Sequence, residues 1–208
     1  MLQKAPSSMI LTDFDAHRAP NRINAAMRGL CQWAVLDPGD KVLDMNCGNG
    51  ALLEALGRKC ECLLCGITPF VDRSREARAL LPDADILFAI PEDIPWHDDA
   101  FDLVLSSQPL YEMEDVPQAM AEAFRVLKPG GQFLLATPWY PAPLRQLFNR
   151  FSPKSDDINE AYQSKQGVFD CLKAAGFDEI SWHTPEFGMA IAVAWKKRDI
   201  ISSGYSAC

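Results

Sequence analysis

The sequence has little positive charge and no long apolar run. Its 208 residues include 20 lysines and arginines against 28 aspartates and glutamates, a formal net charge of −8. Because the basic residues are scattered and a nucleic-acid-binding protein needs a basic footprint, we predict no nucleic-acid partner. No segment approaches the roughly 20 apolar residues of a membrane span, and residues 1–15 lack the features of a secretory signal. We therefore expect a cytoplasmic protein with no membrane partner.

The seven cysteines have neither the even number nor the spacing of a disulfide framework, which suits a reducing compartment. Cys60, Cys62 and Cys65 are close enough in sequence to suggest a zinc site. They fall in an apolar strand-like run, however, where alternation points side chains to opposite faces, and no histidine is near in sequence. We interpret these cysteines as structural thiols and predict no metal site.

Strand-like and helix-like segments alternate along the chain, which predicts an α/β fold with a parallel sheet covered on both faces. The predicted strands are Lys41–Met45, Cys62–Ile67, Asp85–Ala89, Phe101–Ser106, Gly131–Thr137, Glu179–His183 and Met189–Lys196. The predicted helices are Arg22–Val35, Ala51–Arg58, Arg73–Leu81, Val116–Leu127 and Gly167–Ala175. Only a short turn, Thr184–Gly188, joins the last two strands, so we expect the last strand to run antiparallel.

Nothing in the composition marks a boundary between domains. We predict a single domain over residues 1–208, with residues 1–40 as a helical N-terminal extension. Residues 138–166, rich in proline, aromatic residues and arginine, interrupt the alternation as a long insert. Inserts of this length are often functional lids, and a lid is the role we expect here.

The stretch DMNCGNG, residues 44–50, connects the first predicted strand to a helix. Gly48 and Gly50 allow the backbone to approach a ligand closely, and the amides at the helix start favour an anionic group. Asn46 stands where such loops most often have their first glycine. Asparagine is among the few non-glycine residues that enter the left-handed backbone region, so Asn46 can replace that glycine without closing the loop. A tight turn without a ligand explains the loop alone equally well.

Dinucleotide binding is one alternative for this loop. It requires an acidic residue about 20 positions further on, at the end of the second strand, for the ribose hydroxyls. Thr68 occupies that position. A short-chain dehydrogenase would also have Tyr and Lys four residues apart, whereas Tyr162 and Lys165 are three apart. Both features count against a nicotinamide cofactor.

Three further segments follow the loop: PEDIPWHDDAFDLVLSS at 91–107, FRVLKPGGQFLLATP at 124–138 and LKAAGFDEI at 172–180. Taken in order with VLDMNCGNG, they resemble the class I S-adenosylmethionine-dependent methyltransferases, over about residues 22–195. In LKPGG we expect Pro129 to end a helix and the two glycines to reverse the chain. The likeness is greatest to small-molecule O- or C-methylating enzymes. It implies a Rossmann-like three-layer sandwich with a seven-stranded, mostly parallel sheet and an antiparallel last strand.

The resemblance also implies the cofactor S-adenosylmethionine and the residues that bind it. Asp44 matches the acid that orders the loop and reaches the methionine end, and Thr68 matches the acid that takes both ribose hydroxyls. Ile90 replaces an aspartate beside the adenine amine, and Glu92 is equally well explained as a helix cap. The implied cofactor-binding residues are Asp44, Asn46, Cys47, Gly48, Asn49, Gly50, Thr68, Pro69, Ile90, Pro91, Glu92, Ser106, Ser107 and Gln108.

No catalytic motif is evident, because a methyl group on a sulfonium is already activated and a general base is optional. Tyr111, Glu112 and His17 are the catalytic candidates. The resemblance implies a small-molecule acceptor and leaves O-, N- and C-methylation open, and the oligomeric state is not addressed by the sequence. The alternative is a methyltransferase-like binding or scaffold domain with weakened or lost cofactor binding, because Asn46, Thr68 and Ile90 each depart from the family pattern.

Overall fold

The computed structural model describes residues 20–140 and 164–198. These ranges form one sheet of seven strands with helices on both of its faces. The strands are β1 Lys41–Asp44, β2 Leu63–Thr68, β3 Asp85–Phe88, β4 Phe101–Ser106, β5 Leu127–Pro138, β6 Asp178–Glu186 and β7 Met189–Trp195. The helices are α1 Pro20–Trp33, α2 Ala51–Lys59, α3 Val71–Leu80, α4 Val116–Val126 and α5 Lys165–Ala174.

The strand order in the sheet is β3-β2-β1-β4-β5-β7-β6. The five strands from β3 to β5 in this order pair in parallel, whereas β7 pairs antiparallel with both β5 and β6. The prediction of a seven-stranded, mostly parallel sheet with an antiparallel last strand is confirmed. Because β7 lies between β5 and β6, the edge strand on that side is β6.

Alternation of apolar side chains along the strands builds two hydrophobic cores, one on each face. In β5, Phe133 and Leu135 pack in the core covered by α4 and α5, whereas Leu134 and Ala136 pack in the core covered by α1 and α2. All four side chains are at most 1% exposed. A fully buried Leu or Phe contributes roughly 1.5–3 kcal/mol, so strands buried on both faces are the main source of stability.

The LKPGG segment is not the turn that the sequence predicts. Helix α4 ends at Val126 and β5 begins at the next residue, so Pro129 lies within the strand. The pairing of β4 with β5 shifts register there, from Phe101 opposite Leu127 to Leu103 opposite Gln132. The amides before β4 already bond to the last carbonyls of α4, so the chain leaving the helix pairs at once and the extra residues form a bulge.

The connection between β6 and β7 is shorter than predicted. Strand β6 continues to Glu186, which pairs with Met189, so only Phe187 and Gly188 form the turn. Gly188 has a φ of 82°, in the left-handed region where glycine carries no steric penalty. A two-residue hairpin turn needs such a residue, which explains why the strands can continue so far.

Helix α1 confirms a helix before the first strand and packs across β5 and β7. Gly29 makes this possible, since a Cβ at this position would lie 2.8 Å from Ile191. Near the end of α1, Gln132 accepts a hydrogen bond from the Val35 amide and donates one to the Trp33 carbonyl. Residues 1–19 of the predicted extension and residues 141–163 of the predicted insert lie outside the described residues.

The three closely spaced cysteines do not share one face. Cys62 packs beside the core under α1 and α2, whereas Cys65 belongs to the opposite core, in agreement with the alternation read from the sequence. Within residues 20–140 and 164–198, no group of three or more metal-ligating side chains is close enough to hold an ion. In the same ranges, none of the helices combines the length and the apolar character needed to cross a bilayer.

Candidate functional site

The predicted cofactor-binding residues meet at one edge of the sheet. Strand β1 pairs with β2 on one side and β4 on the other, which is where the strand order reverses. Asp44, the last residue of β1, lies opposite Gly66 and Leu105. Residues 45–50, 69–70 and 107–108 therefore leave the sheet side by side, and residues 89–92 follow β3 at the same edge. Ligands of open α/β sheets bind in the crevice at this point.

Backbone hydrogen bonds fix the loop at residues 45–50. The Met45 amide donates to the Leu105 carbonyl, and the Cys47 amide donates to the Ile67 carbonyl, both at 2.9 Å. The loop is thus tied to both neighbouring strands rather than only to its own helix. Cys47 is buried against Gly66, where a Cβ would lie 2.8 Å from its sulfur. Burial raises the pKa of the Cys47 thiol, which keeps it protonated and makes it a packing residue.

The two loop glycines have different functions. Gly50, with a φ of 85°, lies against α3, where a Cβ would be 3.2 Å from Leu81 and 3.3 Å from Ala77. Gly48, with a φ of 51°, faces open space, because no atom lies within 4 Å of a Cβ built there. Gly50 therefore permits close packing of the helices, whereas Gly48 leaves room for a ligand next to the start of α2.

Helix α2 begins at this loop without a strong cap. Its N-cap residue is Gly50, which has no side chain to cap the first turn, and the Asn49 side chain accepts only a 3.3 Å bond from the Ala51 amide. The first amides of a helix carry partial positive charge and are a favourable position for a carboxylate or phosphate. The loop and α2 together can hold an anionic group of a ligand.

Asp44 is a buried carboxyl group at the centre of the site. The residue is only 1% exposed, and one carboxyl oxygen accepts a 3.0 Å hydrogen bond from the Asn46 amide. Burial raises the pKa of Asp44 to about 7, against a smaller lowering by that hydrogen bond. A cationic group bound beside Asp44 would lower its pKa again, so this carboxyl group favours a positively charged partner.

Asn46 does not use the left-handed backbone region that asparagine can enter. Within the loop only Gly48 and Gly50 have positive φ. The Asn46 side chain instead donates a 2.8 Å hydrogen bond to Gln108 Oε1, which joins the loop after β1 to the segment after β4. Asparagine at the first-glycine position thus acts through its side chain, because the backbone there has an ordinary conformation.

Ser106 and Gln108 form a small turn at the end of β4. The Ser106 hydroxyl is fully buried, donates to the Gln108 carbonyl at 3.0 Å and accepts from the Gln108 amide at 3.2 Å. Gln108 is therefore held by its backbone through Ser106 and by its side chain through Asn46. Ser107, between them, is half-buried. This segment is a firm platform beside the loop at residues 45–50.

Thr68 lies at the predicted strand end, and its hydroxyl is engaged in a hydrogen bond within the chain. The residue is fully buried, and Thr68 Oγ1 accepts a long, 3.4 Å bond from the Phe70 amide. Pro69 and Phe70 follow it at the edge and are half-buried. A hydroxyl in this position has less to offer two ribose hydroxyls than a carboxylate.

The segment after β3 carries Ile90, which is 44% exposed, and the buried Pro91. The Glu92 carboxylate accepts bonds from the Glu114 and Asp115 amides, both at 3.2 Å. These amides precede α4, so Glu92 acts as a cap, which was the alternative left open by the sequence. Glu92 is therefore at this edge because it follows Ile90 and Pro91 in the chain, and its carboxylate is used for capping.

An ion-paired arginine holds the rest of this segment. Arg125 bonds to both carboxylate oxygens of Glu122 at 2.7 Å and donates to the carbonyls of Ile94 and Trp96 at 2.9 and 2.8 Å. Glu122 in turn accepts from the Ile94 amide. The pair therefore attaches the chain between β3 and β4 to α4, which keeps Ile90 and Pro91 at the edge.

Of the catalytic candidates, Tyr111 follows the platform most closely in sequence. It is half-buried in the one-turn 3₁₀ helix Leu110–Glu112, directly after Gln108 and Pro109. The backbone of Glu112 belongs to the same turn. His17 lies outside the described residues.

An aromatic group lies at the same edge, beyond the end of β5, and sequence reasoning missed its Phe187. Phe187 at the hairpin tip is 78% exposed, and its ring centroid lies 5.8 Å from that of Tyr140. Arg28 of α1 makes bonds of 2.7 and 2.8 Å to the two carboxylate oxygens of Glu186 beside it. The only sequence signal for this group is the density of aromatic residues around positions 139–140.

Comparison with known proteins agrees with this geometry. Residues 43–135, from β1 through most of β5, match the family model described as a methyltransferase domain. The chain is 30% identical to the ubiquinone/menaquinone biosynthesis C-methyltransferase of Vibrio vulnificus over 175 residues, covering 70% of this chain and 67% of the relative. It is 28% identical to the 2-methyl-6-phytyl-1,4-hydroquinone methyltransferase of Synechocystis over 187 residues, covering 81% of this chain and 57% of that protein.

Among solved structures, a SAM-dependent methyltransferase from Thermotoga maritima superposes with a TM-score of 0.67 at 20% identity, covering 91% of this chain and 98% of that one. The fold, the loop after β1 and these matches define a methyltransferase. The chain belongs to the class I S-adenosylmethionine-dependent methyltransferases. The residues at the edge fit this cofactor, because Gly48 leaves space before the anion-binding start of α2 and the buried carboxyl group of Asp44 ends the strand that leads into the same loop.

Proposed function

We propose that this chain transfers the methyl group of S-adenosylmethionine to a small aromatic acceptor of the hydroquinone type. The observation that carries the proposal is the open space at Gly48, in the loop that joins the buried Asp44 to the start of α2. The Asn46 side chain ties the same loop to the platform at residues 106–108. One relative is named as a hydroquinone methyltransferase and the other as a C-methyltransferase of ubiquinone and menaquinone biosynthesis, which supports this acceptor class. Six free cysteines within the described ranges support the cytoplasmic location, and the net charge of −8 supports the absence of a nucleic-acid partner.

When bound, the cofactor supplies an activated methyl group on its sulfonium, so the protein's task is to position and to exclude water. In our proposal the α2 amides hold the carboxylate of the methionine end, and Asp44 faces its ammonium group. Gln108, held from two sides, fixes the floor on which the acceptor ring lies. Ile90 and Phe70 offer apolar surface to the adenine. Methylation of a ring carbon needs no metal, and a base is required only to remove a phenolic or ring proton.

Ligand-dependent melting tests the proposal most directly. We expect S-adenosylmethionine and S-adenosylhomocysteine, each at about 1 mM, to raise the melting temperature, because a ligand that binds only the folded state stabilises it. NAD and NADP at the same concentration serve as controls and should leave it unchanged. Methyl transfer is then followed by mass spectrometry with 1,4-hydroquinones as acceptors. Stabilisation by NAD alone, or no methylated ring with any hydroquinone, would contradict the proposal.

A second candidate function is a methyltransferase-like domain that binds a ligand without turnover. The observation that favours it is the burial of Thr68, whose hydroxyl is already engaged with the Phe70 amide. In this case S-adenosylhomocysteine would bind weakly or not at all, and no acceptor would be methylated. The two candidates therefore differ in the melting experiment and in the transfer assay.

The variant Thr68→Asp measures how much of the ribose contact is missing. A carboxylate can take both ribose hydroxyls through charge-assisted bonds of about 1.5–3 kcal/mol each, against about 0.5–1.5 kcal/mol for one neutral bond to threonine. We expect the variant to bind S-adenosylhomocysteine about ten- to a hundredfold more tightly by calorimetry. It should also be less stable without ligand, because Thr68 is fully buried.

Thr68→Asn is the matched control, because asparagine has the shape of aspartate without its charge. This variant should gain little affinity for S-adenosylhomocysteine. If Thr68→Asp binds no better than the wild type, another residue serves the ribose. If neither protein binds at millimolar-order ligand concentration, the binding-domain candidate is favoured.

A further inference from the structure

Strand β5 and the β6–β7 hairpin extend well past the platform at residues 106–108. Ser106, the last residue of β4, pairs with Leu135, whereas β5 continues to Pro138, which pairs with Met189. At about 3.3 Å per residue, the three additional residues raise β5 and the hairpin about 10 Å beyond the end of β4. They form a wall beside the position where an acceptor must meet the methyl group.

The top of this wall is aromatic. Phe187 is 78% exposed at the turn and meets Tyr140 edge-on, with an angle of 68° between the rings. Tyr140 packs against Gly188, where a Cβ would be 3.0 Å from its ring. The Trp139 amide also donates a 3.2 Å bond to the Gly188 carbonyl. Turns favour small or polar residues, so a phenylalanine that is largely exposed at this position is unusual.

The hairpin tip is held in place without Phe187. On one side Arg28 forms two hydrogen bonds with Glu186, and Gly29 allows α1 to pack against Pro185 and Ile191. On the other side β7 pairs with β5 as far as Met189. Replacing the exposed Phe187 should therefore leave the fold intact.

We propose that Phe187 and Tyr140 bind an apolar tail on the acceptor and so select acceptors that carry one. This inference rests on the proposed methyl transfer to a small aromatic ring. The hairpin tip is two strands away from β4, or about 10 Å across the sheet, and about 10 Å higher. A single ring resting on Gln108 cannot reach that far, whereas an isoprenoid chain attached to the ring can. Apolar burial against Phe187 would then contribute to binding of the tail and not to the chemistry.

The test compares two acceptors and two matched variants. The acceptors are an unsubstituted 1,4-hydroquinone and the same ring with a ten-carbon geranyl chain. Phe187→Ser removes the proposed contact, and Leu63→Ser removes a comparably exposed apolar side chain, 62% exposed, at the opposite end of the sheet. For Phe187→Ser we expect KM for the geranyl acceptor to rise about tenfold, with kcat unchanged and the plain ring unaffected. Leu63→Ser should behave as the wild type with both acceptors.

Equilibrium binding of the geranyl hydroquinone to the protein with S-adenosylhomocysteine separates this inference from the proposed reaction. If Phe187→Ser weakens that binding but no ring is methylated, the tail site holds and the reaction assignment fails. If rings are methylated but Phe187→Ser changes neither KM nor binding of the geranyl acceptor, the tail site is wrong. The tail site is equally wrong if the wild type prefers the plain ring, or if Phe187→Ser weakens both acceptors alike.

Discussion

Replacing Gly48 by leucine is expected to weaken binding of S-adenosylhomocysteine by at least about a hundredfold. The side chain would occupy the open space that begins at the Gly48 Cα and that we assign to the ligand. A Cβ at this position would have no contact within 4 Å beyond its chain neighbours, so we expect the protein still to fold. The backbone at a φ of 51° disfavours any side chain, which should lower the free energy of unfolding by about 1–2 kcal/mol.

Gly39→Leu is the matched control for that backbone cost. Gly39 also has a positive φ, 91°, and also has no atom within 4 Å of a built Cβ, but it precedes β1 at the opposite edge of the sheet. Both variants should therefore lose similar stability in urea, and only Gly48→Leu should lose ligand binding in calorimetry. Equal affinities of the two variants would mean that the loop after β1 is a turn and not a binding site.

The second large effect is a pH dependence caused by Asp44. The folded state keeps this carboxyl group protonated up to a pKa of about 7, whereas the ordinary value is 3.8. Between these values the unfolded chain releases the proton and the folded protein does not. Stability from this group is therefore complete below pH 3.8 and is lost as the pH rises towards 7. The total loss amounts to at most about 4 kcal/mol.

Urea denaturation of the ligand-free wild type and of Asp44→Asn between about pH 4 and pH 8 measures this effect. Asparagine at position 44 does not titrate. We therefore expect the free energy of unfolding of Asp44→Asn to increase relative to that of the wild type as the pH rises. Asp72→Asn, at an exposed position on α3, should follow the wild type at every pH. With bound S-adenosylmethionine the difference should shrink, because a nearby cation lowers the pKa of Asp44. Parallel curves for wild type and Asp44→Asn would show that burial does not control this carboxyl group.

The order of strands and helices, and with it the edge that carries the site, could be predicted from the sequence. Buried parallel strands appear as short apolar runs, and the ends of such strands locate the loops at Asp44, Thr68 and Ser106 without further information. The boundaries predicted from the sequence and those of the structure differ most at Leu127–Gly131. There the strand pairing with β4 overrides the turn preference of proline and glycine.

The functions of individual side chains could not be predicted, because they depend on contacts distant in sequence. The Asn46 side chain binds Gln108, which lies 62 positions away in sequence. Glu92 caps residues 22 and 23 positions away, where no local pattern indicates the contact. The sequence does not distinguish Phe187 from the other apolar residues near the ends of the two strands. Only the short turn of the folded hairpin shows that it is exposed.

The place of β7 in the sheet also affects how the chain can fold during synthesis. As β6 emerges from the ribosome it has no neighbour to pair with, since its only partner in the described sheet is the strand that follows it. Until β7 has emerged, β5 also presents its full length as an unpaired edge, which is a template for association with other chains. Sheet closure is therefore a late event that requires residues up to Trp195. A chaperone that shields apolar strand edges would have its main role in this interval.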